Sequence, residues 1–368
     1  MTFRNFSKTP QRVIPIGLAI IALLLPAAAA PPPSATDTVT LQREGSVGRI
    51  TLRGTVRDFT GRSLEFLPGA GGGMQSFPAA EVVEVDTPRI DSHRRGIQAL
   101  SAGQMDEATT AFDQALKEEQ RQWVRRDILA LSVRCALARG DSASAGTRFL
   151  ALLQSDPETR QFELIPLTWT AAPAEGELVT QGRVWLSHSL EAARLLGASA
   201  LLGNPQHGAE AEKELNQLAT SADVRIKYLA RAQQWRRSLR VPNLPGEEIE
   251  RWQARIDEMP ERLRGGPIFL VGHAFLARGE KHRAAAAFLW LPMVYDLDAS
   301  LAAEACIEAA GALSDIGQKN EAAMLYREAA DRFPGTKAAE QAAERFQQMR
   351  QSKQNPQEAP LNDASSPR

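Results

Sequence analysis

Residues 103–116 read GQMDEATTAFDQAL, and the spacing of their small and aromatic residues recurs three more times along the 368-residue chain. Working outward, Gly96 stands before Gly103, and Ala108, Phe112 and Ala115 follow it. The same steps take in Val133, Gly140, Ala145, Phe149 and Leu152; then Gly272, Gly279, Ala284, Phe288 and Leu291; then Ala310, Gly317, Ala322, Tyr326 and Ala329. Each set describes two helices joined by a tight turn. A small residue lets the helices touch, a Gly turns the chain, and an Ala with an aromatic one helical turn later fills the gap between them. The expected fold class is therefore mainly α, a stack of helical hairpins.

The fingerprint divides the chain. Residues 88–159 and 264–350 each hold one pair of repeats, the second followed by a helix from Lys337 to Arg350 whose polar outer face would cap the stack. Between them the helical period lapses at 160–183, where Pro166, Pro173 and Gly176 interrupt the apolar run Leu164-Ile165-Pro166-Leu167-Thr168-Trp169. An apolar loop of that length is expected to pack on something. From 184 to 263 the period returns without the fingerprint, with helices expected over 184–202, 207–218, 223–240 and 247–263 as diverged hairpins.

Ahead of the helices, residues 38–87 alternate in short β-type runs, with Ile50, Leu52 and Val56 on one face, Leu64 and Phe66 on the returning strand, and Val82, Val83 and Val85 in the last. Five strands in about fifty residues predict a small closed or half-closed barrel. Further forward, Arg4, Lys8 and Arg12 precede an apolar run from Val13 to Leu25 that ends in Pro26 and Ala27–Ala30. This reads as a secretory leader over 1–30, followed by a Pro-rich linker at 31–37 and export to a periplasmic or extracytoplasmic location, with no stable membrane span after cleavage. The tail at 351–368 reads as disordered.

The repeats resemble those of the tetratricopeptide (TPR) family, which implies an α-solenoid with Gly96, Ala108, Phe112, Ala145, Phe149, Gly272, Ala284, Phe288, Ala322 and Tyr326 as its packing residues. The Phe-Pro-Gly-Thr stretch at 333–336, with a small-residue helix after it, resembles exported bacterial members that act in envelope assembly. FPAAEVVEV at 77–85 resembles the close of SH3-like and Sm-like barrels. In the TPR family, positions 2, 5, 9 and 12 of each first helix line a concave groove. Carried onto this chain they are Ile90, His93, Ile97 and Leu100 in the first repeat, and Gly266, Phe269, His273 and Leu276 in the third. His93, Ile97, Leu100, Phe269, His273 and Leu276 are thus the candidate partner-binding residues, on a mostly apolar surface. Ala130 and Arg134 stand where some members carry the Lys and Asn that clamp a terminal carboxylate.

The search for chemistry returns little. A formal charge of −1 gives no bias towards nucleic acid. The basic residues Arg225, Lys227, Arg231, Arg236, Arg237 and Arg240 surround a core stripe of Tyr228, Ala232, Trp235 and Leu239, which predicts a solvated face rather than a nucleic-acid surface. The five His residues are scattered, with no pair at the spacing of a helical metal site. Gly69–Gly73 leads into strand residues, as a hairpin turn does and a phosphate loop does not. Cys135 and Cys306 are expected as buried free thiols, because repeats so far apart in a solenoid rarely touch. No cofactor is implied, and no catalytic or metal-binding residue is singled out. The function expected is non-enzymatic: an exported protein that binds other proteins or peptides, or assists envelope assembly, through the solenoid groove. Two alternatives stay open, an envelope protein whose barrel holds a cell-wall peptide or glycan, and an enzyme whose site is scattered in sequence.

Overall fold

The computed structural model describes residues 36–354, apart from 44, 46, 47, 70 and 241–243. The leader, most of the linker, and 355–368 of the tail lie outside the described residues.

Five antiparallel strands, β1 (Asp37–Leu41), β2 (Ile50–Phe59), β3 (Ser63–Pro68), β4 (Gln75–Pro78) and β5 (Val82–Asp86), form one sheet in the order β4-β3-β2-β1-β5. Val39 faces Leu52, Val56 faces Phe66 and Leu64 faces Phe77, so the alternation read from the sequence sets the register. Ile50, expected inward with Leu52 and Val56, is exposed at the start of β2. The linker ends before Asp37, the first residue of β1. Its buried carboxylate accepts from the Val56 amide at 2.7 Å and from Thr87 Oγ1 at 2.5 Å, which ties β1 to β2 and to the end of β5. Among the described residues no ladder joins β4 to β5, so the structure shows a five-stranded sheet with two edges. The sheet is not a free-standing module: Val39, Val56, Leu64, Phe66 and Val82 share one core with Phe112, Trp123 and Ile128 of the first helices.

The four fingerprint sets form four hairpins: α1 (Asp91–Ser101) with α2 (Met105–Glu118), α3 (Gln122–Ala138) with α4 (Ser142–Ser155), α10 (Gly265–Ala277) with α11 (Lys281–Val294), and α12 (Ala299–Asp315) with α13 (Lys319–Arg332). Ala108, Ala145, Ala284 and Ala322 have no exposed surface, nor have Phe112, Phe149 and Phe288, while Tyr326 is buried to its tip. The small residues are required where they stand. A Cβ on Gly96 would lie 2.5 Å from the Phe112 ring, and one on Gly272 2.5 Å from that of Phe288. The turn glycines Gly103, Gly140, Gly279 and Gly317 all have φ between 71° and 85°, where an L side chain is strained.

The middle departs from its expected boundaries. Gly176, with φ of 60°, lets a helix begin at Glu177, so the irregular stretch ends at 176, seven residues before 183. The run 184–202 is two elements, the end of α5 (Glu177–Leu186) and α6 (Glu191–Leu201), crossing where a Cβ on Gly197 would meet the Leu186 nitrogen at 2.5 Å. α7 (Gly208–Leu218), α8 (Val224–Ser238) and α9 (Gly246–Asp257) follow, and a one-turn helix at Glu261–Leu263 lies beyond Pro260. On α8, Trp235 stacks on Trp252 with ring centroids 4.9 Å apart. Arg236 is not on a solvated side: it is buried, donates to the carbonyls of Thr170 and Ser199, and burial pulls its guanidinium down to about 10. The apolar run Leu164–Trp169 is buried in the same core as α3 to α12, with the Trp169 ring pressed over Gly266.

α14 (Lys337–Gln354) packs on α12 and α13 and carries the helix four residues into the expected tail. The hairpins are not an open row. α3 touches α12, Gly335 packs on the Gly103 carbonyl, and the Lys337 stem lies 3.3 Å from where a Gly140 Cβ would stand. The premise that distant repeats do not meet therefore fails for the very helices that carry the cysteines. Both thiols are nevertheless free and face different cores, and burial pushes them up to about 11 at Cys135 and about 12 at Cys306.

Candidate functional site

Two cavities, of about 590 Å³ and about 300 Å³, share Glu163, Arg262, Val294 and Leu297 and make one cleft. One wall is β5, an edge strand whose single neighbour is β1. The pairing steps from Leu41↔Val82 to Thr40↔Glu84, so Val83 is the extra residue of a bulge, and it stands 43% exposed on the cleft wall. Opposite lie Val294 at the end of α11 and Leu297 in the turn after it, 47% and 44% exposed. Trp123 and Asp127, one turn apart on α3, and the irregular stretch around Arg160 and Glu163 complete the lining.

The rim is fixed by charge. Arg126 of α3 donates to Asp58 Oδ1 at 2.6 Å and to the Phe59 carbonyl at 3.1 Å, and the Gly61 amide donates to Asp156 Oδ2 at 2.8 Å; together they pin the end of β2 and the β2–β3 turn to α3 and to the end of α4. Arg262 pairs with Glu163 at 3.1 Å. Two other arginines make no side-chain hydrogen bond among the described residues, although Arg160 feels the Glu163 charge and Arg89 acts on Asp127. Arg160 lies over the Phe59 ring at 4.8 Å.

The carboxyls respond to this setting. Burial raises Asp127 above the usual range, against the pull of Arg89, although its side chain is 40% exposed; in a concave wall, water reaches the group while protein surrounds most of it. Burial also raises Glu163, against Arg262. Behind Asp127, His93 is fully buried with both ring nitrogens unpartnered, Nε2 3.7 Å from Asp127 Oδ2, and burial followed by the Arg89 charge pushes it down to about 4. Among the described residues no group of three or more His, Cys, Asp and Glu is placed to hold a metal ion, and no helix is long and apolar enough to cross a membrane.

The six groove residues expected from the repeats are not brought together, and none lines the cleft. His93 lies edge-on to Phe112, with Ile97 and Leu100 half-buried in the core shared with the sheet. Phe269 has no exposed surface, Leu276 packs against the central core, and His273 is held edge-on between Phe269 and Phe288, where burial pushes it down to about 4. The physical reason is the chain's own loop: Trp169 covers Gly266 at the head of the groove, and α8 and α9 pack along α10. Of the charged residues that do line the cleft, Arg89 and Arg160 lie outside the helices, and Glu163 and Arg262 lie in single turns at Phe162–Leu164 and Glu261–Leu263. The signal pointing to them was charge concentrated in irregular stretches that border buried apolar runs. No family model matches the chain, and neither does any curated protein or solved structure.

Proposed function

We propose that the chain is a non-enzymatic, exported binding protein of TPR-like construction, and that a segment of another protein sits in the cleft between β5 and the turn after α11. The observation that carries this reading is the cleft itself, where three aliphatic side chains and two arginines without a hydrogen-bonded acceptor meet in one concavity. Hairpin stacks of this kind serve as binding surfaces, and here the surface lies in the cleft rather than in the apolar groove. The sheet's inward face is filled by its own side chains and by α1–α3, which moves ligand binding from the inside of a barrel to its edge.

A photo-crosslinking side chain placed at Leu297 and at Val83 should yield the same adduct in the native envelope, and one at Met324, exposed on α13, should not. Identical adducts from all three positions, or none from the cleft, would overturn the reading.

A second reading, an acid–base enzyme, draws on Asp127 and Glu163, two carboxyls raised above their usual range in one cavity. Asp127→Asn separates the two. It leaves segment capture intact if the cleft only binds, and abolishes turnover if Asp127 moves a proton.

A further inference from the structure

We infer that the cleft receives an extended, acidic segment internal to a partner polypeptide, with a side-chain carboxylate on Arg160 and Arg89 and neighbouring aliphatic side chains on Val83, Val294 and Leu297. The inference rests on the cleft being the binding surface, and adds the chemistry of its occupant.

The charges argue for a carboxylate. Of the four arginines on the wall, Arg126 is held by Asp58 and Arg262 by Glu163, while Arg160 and Arg89 have no acceptor among the described residues. Glu163 stands near Arg160 and Asp127 near Arg89, but neither is hydrogen-bonded to its arginine; a guanidinium in a concave, partly dry site without a hydrogen-bonded acceptor is costly, and a carboxylate with good geometry offsets that cost. Arg160 is already oriented by its stack on Phe59, so little side-chain freedom remains to be lost on binding. Burial pulls the Arg160 guanidinium below its usual range, with the Arg262 charge acting in the same direction and the Glu163 charge opposing both. Four carboxyls share the wall with the four arginines: Asp127 and Glu163, raised by burial, oppose an incoming anion less than ordinary carboxylates would, Asp156 already accepts from the Gly61 amide, and Glu84 stands exposed on β5.

The apolar residues argue for a polypeptide rather than a small anion. Val83, Val294 and Leu297 stand on the same walls as the free guanidiniums, and they would bury nothing against an inorganic ion. The continuity of the two cavities through Glu163, Arg262, Val294 and Leu297 gives the segment a way in and a way out, which favours an internal stretch over a chain end. An extended chain rises about 3.3 Å per residue, so five or so residues would run the length of β5.

The test uses the folded protein and three synthetic hexapeptides of Leu and Val. One has a central Asp and blocked ends, one has Asn in its place, and one has Asn with a free C-terminus. Binding is read by titrating the Trp123 indole N–H resonance, assigned through Trp123→Phe. The Asp peptide should bind about tenfold tighter than the blocked Asn peptide, the size of one charge-assisted contact. Raising salt from 0.05 to 0.5 M should remove most of that advantage. Arg160→Gln should erase it and Arg160→Lys restore part of it, with circular dichroism showing both variants folded. Equal binding of the Asp and Asn peptides, or discrimination that survives both Arg160→Gln and Arg89→Gln, would overturn the carboxylate assignment. A free-C-terminus Asn peptide that matches the Asp peptide would overturn the internal segment in favour of a chain end. If none of the three binds, this inference falls, while adducts from Leu297 and Val83 still decide whether the cleft is the surface.

Discussion

Two stretches of this molecule were equally able to become a binding surface, and only one stayed open. Along α10 the first-helix face of the third repeat is covered by Trp169, α8 and α9; between β5 and the turn after α11, Val83, Val294 and Leu297 are left to solvent. Both faces carry aliphatic side chains, so their presence alone did not decide. Connecting segments did: an irregular stretch rich in Leu, Ile and Trp folded onto the first face, while the second was bordered by arginines and by a bulged strand edge that does not cover it.

The largest effect that would break this contrast comes from its covered side. Trp169→Ala should cost about 3–5 kcal/mol, as an aromatic deletion that leaves a cavity over Gly266. Phe112→Ala and Phe288→Ala belong in the same range, since both rings are fully buried inside their hairpins. Denaturant titration checks all three, and a loss under 1 kcal/mol for Trp169→Ala would mean that the loop merely rests on α10.

A smaller effect is expected from pH. His273 is held down to about 4 by burial, against an ordinary value near 6.5, so the folded state resists the proton that the unfolded chain accepts. The stability tied to its neutral form is complete above pH 6.5 and lost as pH falls from there towards 4, up to about 3 kcal/mol. Glu304 works the other way. Burial, Glu308 and Asp298 push it up to about 7, and it costs stability as pH climbs from its ordinary value through 7. The informative quantity is therefore the difference between wild type and His273→Gln across pH 4–7, which should shrink the acid loss; identical pH profiles would show water reaching the ring. The smallest effect belongs to the open side, where Leu297→Ser should shift stability by no more than about 0.5 kcal/mol while weakening segment binding. A shift above 2 kcal/mol would mark Leu297 as core, and the contrast would collapse.

The hairpins were legible because their determinants are local. Gly103, Ala108 and Phe112 carry their own turn, contact and plug within ten residues, and the same holds at Gly279, Ala284 and Phe288. The burial of Leu164–Trp169 was legible from composition alone, and so was the sheet's alternation. What escaped was everything that joins distant segments. Helical period does not encode the curvature that brings α3 to α12, and nothing near Glu163 announces Arg262, ninety-nine positions away. The cleft is built from such pairs, whereas the groove expected from the repeats was a projection of local pattern onto an open stack. Gly176 shows the same limit on a smaller scale, since a helix start depended on one backbone angle rather than on period.

The meeting of Gly103 with Gly335 also sets an order of events in time. The first hairpin completes its helices early in synthesis, but the surface of its turn finds its partner only when a residue more than two hundred positions later has emerged. Until then the seam of the first hairpin stays bare to solvent and to other chains, and pairings of such long range slow folding by the loop-closure entropy they must overcome. A nascent chain that ends before Pro334 would have its four fingerprint hairpins finished, with the turn of the first still lacking its cover and the face of α12 and α13 still lacking α14.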